Sequence, residues 1–136
     1  MIAIQEVKGS KLHKTYIDLP YVIYANDPQW VPPLYDDEKK FHDPSHNEAL
    51  GYCTTIRWIA YRNGQAIGRI MGIINHPYNR QHHLKTARFY QLDCINDPEV
   101  ARKLLDTVEQ FVDMPIGVER IEVPVRAPQV TAGAMN

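Results

Sequence analysis

The sequence lacks the features that mark membrane, secreted and polyanion-binding proteins. Its 136 residues include only 2 cysteines, too few for a disulfide scaffold. No apolar run approaches the roughly 18 residues that a transmembrane helix requires. The first residues include Gln5, Glu6 and Lys8, so we expect no signal peptide. Lys and Arg number 15 and Asp and Glu 16, so no excess charge attracts nucleic acid or an anionic membrane.

These absences leave a soluble, cytoplasmic globular protein as the expected class. A chain of 136 residues predicts one domain. We assign that domain to residues 1–125. Residues 126–136 contain Pro128, Gly133 and small side chains, which predict a C-terminal tail without a core of its own.

The pattern along the chain predicts the order β-α-α-β-β-β-α-β. The predicted strands span residues 1–7, 54–61, 66–74, 87–95 and 118–125, and the predicted helices span 19–25, 36–41 and 98–112. Asn63-Gly64 is the strongest short hairpin signal. Asp97 and Pro98 are a favourable N-cap and first residue for the last helix. We expect 75–85 to be a polar loop. The result is an α/β (α+β) fold with a mostly antiparallel, mixed sheet flanked by helices.

Three segments make the prediction more specific. They read LPYVIYANDPQWVPPL (19–34), NGQAIGRIMGIIN (63–75) and FYQLDCINDPEVARKLLDTVEQFV (89–112). Together they resemble a bacterial branch of the GNAT (N-acetyltransferase) superfamily, and the likeness covers roughly residues 15–125. The resemblance implies an acetyl-CoA-dependent N-acyltransferase. It covers the first half to two-thirds of that fold, so the chain is short of a helix and two C-terminal strands.

The resemblance also implies the positions of the site. In the superfamily the acyl donor lies beside the fourth strand, with its pyrophosphate at the start of the next helix. Carried onto this chain, the cofactor contacts are Leu92, Cys94, Ile95, Asn96 and Val100. Asp93 is the candidate general base for an amine acceptor, with Glu99 as an alternative. A general base must be able to reach the proton that it removes.

The helix start departs from the superfamily pattern. Residues 95–100 contain no glycine and no basic side chain. Asp97 caps the amides that a phosphate would need, Pro98 lacks an N–H group, and Glu99 adds like charge. The sequence therefore leaves two further functions open. One is a non-catalytic interaction module or homodimer that completes its sheet along the open edge of strand 118–125. The other is a truncated remnant of an acetyltransferase.

Other polar clusters favour structural roles. His42, Asp43 and His46 have metal-ligand chemistry, but Pro44 prevents one helix from aligning them, so we predict a polar loop and no metal site. The solvated loop over 75–85 contains three histidines that could supply a base: His76, His82 and His83.

Residues of the predicted strands likewise have both a structural and a functional interpretation. Cys94 lies in an apolar strand and is predicted to be an inert thiol. Arg69 is predicted to form an ion pair, with an acyl-group contact as the alternative. Six aromatic residues are expected to pack in the core in preference to lining a ligand pocket: Tyr16, Tyr21, Tyr24, Trp30, Tyr35 and Trp58.

Overall fold

Five strands form one mixed sheet in the computed structural model, which describes residues 1–112 and 120–122. The strands are β1 (Ile2–Glu6), β2 (Cys53–Arg62), β3 (Gln65–Asn75), β4 (Thr86–Cys94) and β5 (Arg120–Glu122). They lie in the order β1-β2-β3-β4-β5. The first four pair antiparallel, and β5 pairs parallel to β4. The predicted sheet is therefore confirmed.

Within the described residues, five helices cover this sheet. They are α1 (Gly9–Ile23), α2 (Tyr35–Phe41), α3 (Ala49–Tyr52), α4 (His76–His82) and α5 (Pro98–Val112). None of the helices in the described part of the chain is long and apolar enough to cross a membrane. Residues 113–119 and 123–136 lie outside the described residues. They include most of the predicted strand 118–125 and the whole predicted tail 126–136.

The hairpin between β2 and β3 forms as its turn residues predict. Asn63 and Gly64 have φ angles of 52° and 77°, which suit the positive-φ turn that joins two-residue hairpins. Side chains then alternate along β3, so that Ile70 and Ile74 face α5 while Met71 and Ile73 face α1 and α2. A separate core therefore lies on each face of the sheet.

Helix α5 packs through the stripe that the sequence predicts. Val100, Leu104, Val108 and Phe111 are at most 1% exposed. The stripe lies close to β3 because Gly68 has no side chain. A Cβ there would lie 2.9 Å from both Cys94 Cβ and Leu104 Cδ1. The strand glycine thus marks a close approach of helix to sheet.

Three helical predictions need correction. The first helix begins at Gly9 and not at Leu19, because Pro20 is accommodated inside the helix. The loop predicted over 75–85 contains α4, whose N-cap Asn75 accepts a hydrogen bond from the Tyr78 amide at 3.0 Å. The short helix α3 was not predicted. A side-chain hydrogen bond also lies at the start of α3, where Asn47 Oδ1 accepts from the Ala49 amide at 3.2 Å.

Candidate functional site

A cleft of about 650 Å³ opens where β4 leads into α5. The ends of α1, β4 and α5 meet there, and the lining residues are Ile23, Tyr24, Asp27, Cys94, Ile95, Asn96, Asp97, Pro98 and Ala101. Three of the predicted cofactor residues, Cys94, Ile95 and Asn96, line this cleft. The lining includes two carboxylates, and no basic side chain is among the described residues that line it.

The other two predicted cofactor residues pack into the α5 core. Val100 is fully buried, and Leu92 packs against the same cluster. The side chain of Val100 is therefore out of reach of a ligand, and its amide already bonds to the Asp97 carbonyl at 3.1 Å. A cofactor contact at either residue stays a prediction.

The predicted catalytic residue Asp93 lies on the α1 face of β4. Its Oδ2 accepts from Arg69 Nε at 3.0 Å, and its Oδ1 accepts from the Tyr24 hydroxyl at 2.9 Å. Tyr24 lines the cleft, so it connects Asp93 to that space. The predicted ion pair of Arg69 is confirmed. Each carboxylate oxygen of Asp93 therefore already accepts one hydrogen bond, one from Arg69 and the other from Tyr24.

Arg69 also replaces a hydrogen bond that α1 lacks. Proline has no N–H group, so Pro20 leaves the carbonyl of Tyr16, four residues earlier, without its helical donor. Arg69 Nη1 donates to that carbonyl at 2.9 Å. The guanidinium lies 4.7 Å from the centre of the Tyr16 ring, within range of a cation–π contact. Helix α1 is therefore fastened to β3 at the place where the proline interrupts it.

A second carboxylate meets Arg69 from α2. Glu38 is fully buried, and its Oε1 lies 3.4 Å from Arg69 Nη2. Its Oε2 has no hydrogen-bond partner in the described part of the chain. Burial raises the pKa of Glu38, and the nearby Arg69 charge opposes that rise. Arg69 is thus shared by two acids, one of which is only partly satisfied.

Strand β4 contains a bulge beside this network. Arg69 pairs with Asp93 and Met71 with Tyr90, so one residue of β3 faces two of β4, Gln91 and Leu92. Gln91 has φ = 56°, a conformation uncommon for a residue with a side chain. A bulge of this kind takes backbone groups out of the ladder and redirects side chains. Gln91 therefore points to the α1 and α2 face, as Tyr90 and Asp93 do.

Helices α1 and α2 hold the Gln91 side chain. Gln91 is 2% exposed, and its Oε1 accepts from the Tyr16 hydroxyl at 3.1 Å and from His42 Nε2 at 2.9 Å. Burial, followed by the nearby Arg57 charge, places the pKa of His42 well below its usual range. Gln91 Nε2 has no partner among the described residues. The backbone conformation of the bulge is thus tied to both helices.

Comparison with known proteins identifies this architecture. No protein-family model matches the chain. A tandem GNAT protein from the clavulanic acid biosynthesis pathway aligns with 99% of the chain and 42% of its own length, at TM-score 0.67 and 14% identity. The aminoglycoside acetyltransferase AAC(6')-Iy, bound to a bisubstrate analogue, aligns with 93% of the chain and 80% of its own length, at TM-score 0.63 and 15% identity. The chain has a GNAT-like fold.

One curated protein is similar in sequence. Protein YghO of Escherichia coli K12 is 30% identical over 99 residues, which cover 73% of this chain. The chain spans about a quarter of the length of that relative. The GNAT-like fold agrees with the resemblance seen in the sequence.

The start of α5 does not fit the diphosphate that the GNAT-like fold implies there. Asp97 Oδ1 accepts from the Glu99 amide at 3.0 Å, and the Asp97 carbonyl accepts from the amides of Val100 and Ala101. Pro98 has no amide to offer. Hydrogen bonds from Arg62 and from the Glu99 amide lower the pKa of Asp97, which favours its ionised form. The amides at the start of α5 therefore already donate to Asp97, and the ionised Asp97 carboxylate already bonds to Arg62.

The remaining predicted sites have ordinary surroundings. No group of three or more potential metal ligands occurs among the described residues. His42 is buried, whereas His46 is exposed and bonds to Asp43. His76 bonds to the Thr54 hydroxyl at 2.7 Å. Burial raises the pKa of both thiols, Cys53 and Cys94, so each is a poor nucleophile.

Sequence reasoning missed three members of the network. Glu38 falls within the predicted helix 36–41, His42 within the predicted polar loop and Gln91 within the predicted strand 87–95, and none of these predictions brings the three side chains together. Their partners lie 31, 49 and 75 residues away along the chain, so no local pattern points to them. The available signal was the spacing of Glu38 three residues before the apolar Phe41, which places both on the same face of α2.

Proposed function

We propose that this chain is an acyltransferase-related domain that acts as a non-catalytic module and not as a free-standing acetyltransferase. The observation that carries the proposal is the self-capped start of α5. Asp97 accepts the hydrogen bond of the Glu99 amide, so that donor is not free for a diphosphate, and the Asp97 carboxylate is already paired with Arg62 at 2.9 Å. A helix start binds phosphate only where its amides are free and the local charge permits.

The role that remains for such a module is to associate with another GNAT-like unit. Strand β5 lies at the edge of the sheet, and among residues 1–112 and 120–122 it pairs with β4 alone. Exposed edges invite further strand pairing. The tandem GNAT protein supports this role, because this chain aligns with 42% of that protein. We therefore propose a homodimer through the β5 edge, in a protein that acts in the cytoplasm.

A ligand titration tests the non-catalytic part. The melting temperature is measured with coenzyme A, acetyl-CoA and pantetheine, which lacks the diphosphate. A ligand at a hundred times its Kd stabilises a protein by about 2.7 kcal/mol, which raises the melting temperature by several degrees. We expect no such rise with any of the three. Saturable stabilisation by coenzyme A would overturn the proposal.

Light scattering tests the association separately. We expect a mass of twice the monomer, with the fraction of dimer rising with protein concentration. A strictly monomeric chain at the highest soluble concentration would contradict the proposed homodimer without bearing on coenzyme A. The two parts of the proposal can therefore fail independently.

The second candidate function is acetyl-CoA-dependent N-acetyl transfer. The bulge at Gln91 favours it, since β4 amides outside the ladder are the kind of donors that stabilise an oxyanion. In that case Asp93 is the candidate base. Release of free thiol from acetyl-CoA in the presence of small amines would establish the activity, and loss of that release in Asp93→Asn would support the assignment of Asp93.

A further inference from the structure

A second pocket of about 610 Å³ lies away from the β4 cleft, between the first half of α1 and the end of α2. It shares no lining residue with the cleft. Its lining includes His13 from α1, Lys39 and Lys40 from α2, and the buried His42 that follows α2. His42 is 7% exposed, so it forms the deep end of the pocket.

Partners outside the pocket set the tautomers of its two inner histidines. Arg57 Nη1 lies 2.9 Å from His13 Nδ1, and arginine can only donate, so the His13 proton is on Nε2. Gln91 Oε1 can only accept, so His42 carries its proton on the Nε2 that bonds to it. His13 therefore has an N–H donor left, and His42 has the bare Nδ1 as an acceptor.

The two rings keep these complementary roles near neutral pH. Burial is the main cause that lowers the pKa of both His13 and His42, and Arg57 lowers both further. The two ring centroids lie 6.4 Å apart. One hydroxyl oxygen with a hydrogen bond of about 2.8 Å on each side and a tetrahedral angle joins two nitrogens about 4.6 Å apart, and nitrogens on the facing edges of rings at this centroid distance can lie that close. A single hydroxyl group can thus accept from one imidazole and donate to the other.

The rim of the pocket carries two lysines, Lys39 and Lys40, and two carboxylates, Asp36 and Asp43. Lys40 pairs with Asp36 at 3.5 Å, and Asp43 is bonded to Ser45 and His46. Lys39 contacts the Tyr35 ring at 6.0 Å and forms no ion pair with a described residue. Its ammonium group therefore remains available to an anion at the pocket mouth.

We propose that this pocket binds a small hydroxylated anion, with a hydroxyl between His13 Nε2 and His42 Nδ1 and the anionic group at Lys39. The donor and acceptor pair recognises the hydroxyl, because a hydroxyl group both accepts and donates a hydrogen bond. The lysine recognises the charge. A ligand with both groups is held at two points, whereas a ligand with one group is held at one. The site is independent of the proposed non-catalytic role.

Glycerol 3-phosphate is the probe, with glycerol and inorganic phosphate as its two halves. Ring signals of the histidines are followed by NMR as each is added. We expect saturable shifts at His13 and His42 with glycerol 3-phosphate, and much weaker responses to either half. Absence of a saturable shift at both rings would overturn the proposal, and so would an equal response to phosphate alone.

Variants separate binding from folding. Lys39 is exposed, so Lys39→Gln should fold normally and weaken the probe about tenfold, as expected for loss of a charged hydrogen bond. Lys103→Gln, on the exposed side of α5, is the matched control and should bind unchanged. His13→Phe tests the inner donor, with circular dichroism as the check on folding. Unchanged affinity in Lys39→Gln would contradict the proposal even if the histidine variant failed to fold.

Discussion

Arg69 is the residue on which the arrangement of α1, α2 and β4 depends. It donates to the Tyr16 carbonyl that Pro20 leaves without a helical donor, and it pairs with Glu38 and Asp93. A lysine could supply the charge but not three separate donors in a planar fork. The proline in α1 and the arginine in β3 are therefore best understood as one structural unit.

Replacing Arg69 with methionine should lower the free energy of unfolding by about 3–5 kcal/mol, because it leaves a buried carboxylate without its partner. Urea denaturation measures this loss. Adding Glu38→Gln to Arg69→Met should recover part of it, since the uncompensated buried charge is then removed. Arg102→Met, at an exposed position of α5, is the control. A loss no larger than that of the control would contradict the role given to Arg69.

Sequence alone predicted some residues of this network and not others. Asp93 was a candidate base implied by the resemblance, and Arg69 was expected in an ion pair. Gln91 and His42 could not be placed, because their mutual contact joins positions 49 residues apart. Their roles exist only once α2 is packed on the sheet.

At the scale of elements, the sequence predicted the helices and strands that are stabilised by residues close together along the chain. The β2–β3 hairpin follows from Asn63-Gly64, and α5 follows from its cap and its apolar stripe. Helix α1 was predicted too short because proline opposes a helix interior by its own chemistry. Its cost is offset by Arg69, which is distant in sequence. Helix α4 was missed although Asn75 and Pro77 are favourable start residues.

The packing of α5 on β3 can be tested at Gly68. A methyl group there would meet Cys94 and Leu104 at 2.9 Å, so Gly68→Ala should lower the free energy of unfolding by about 1–3 kcal/mol. Gly51 is the matched control. A Cβ at Gly51 meets nothing within 4 Å, so Gly51→Ala should leave stability unchanged or slightly raised. Equal stability of both variants in urea would show that α5 shifts away without cost.

At the scale of the whole molecule, topology was easier to predict than the chemistry of the site. Strand and helix order follow from patterning, and three separate segments agreed on a GNAT-like arrangement. The placement of a cofactor site at the end of β4 stays a prediction. The second pocket depends on how His13 and His42 come together across two helices, and no pattern in the sequence specifies that meeting.

The part of the domain's stability that His42 and His13 contribute should fall as pH decreases from about 7 towards 5, whereas Glu38, whose pKa is raised by burial, changes stability in the opposite direction. The pKa of His42 and of His13 is lower in the folded chain than the usual 6.5, chiefly through burial and then through Arg57. The unfolded chain therefore binds these protons first. The stabilisation is complete above pH 6.5 and is lost as pH falls towards the folded pKa values.

Each histidine contributes a slope of at most about 1.4 kcal/mol per pH unit. Urea denaturation of the full chain at several pH values between 7.5 and 5 measures the combined slope. His42→Gln keeps an N–H donor for Gln91 and removes the titration, so its slope should be shallower. His83→Asn replaces an exposed histidine at φ = 54°, which asparagine tolerates, and should keep the original slope. If His42→Gln retained the full slope, the acid sensitivity would have to come from groups other than His42, and the neutral state assigned to His42 in the second pocket would lose its support.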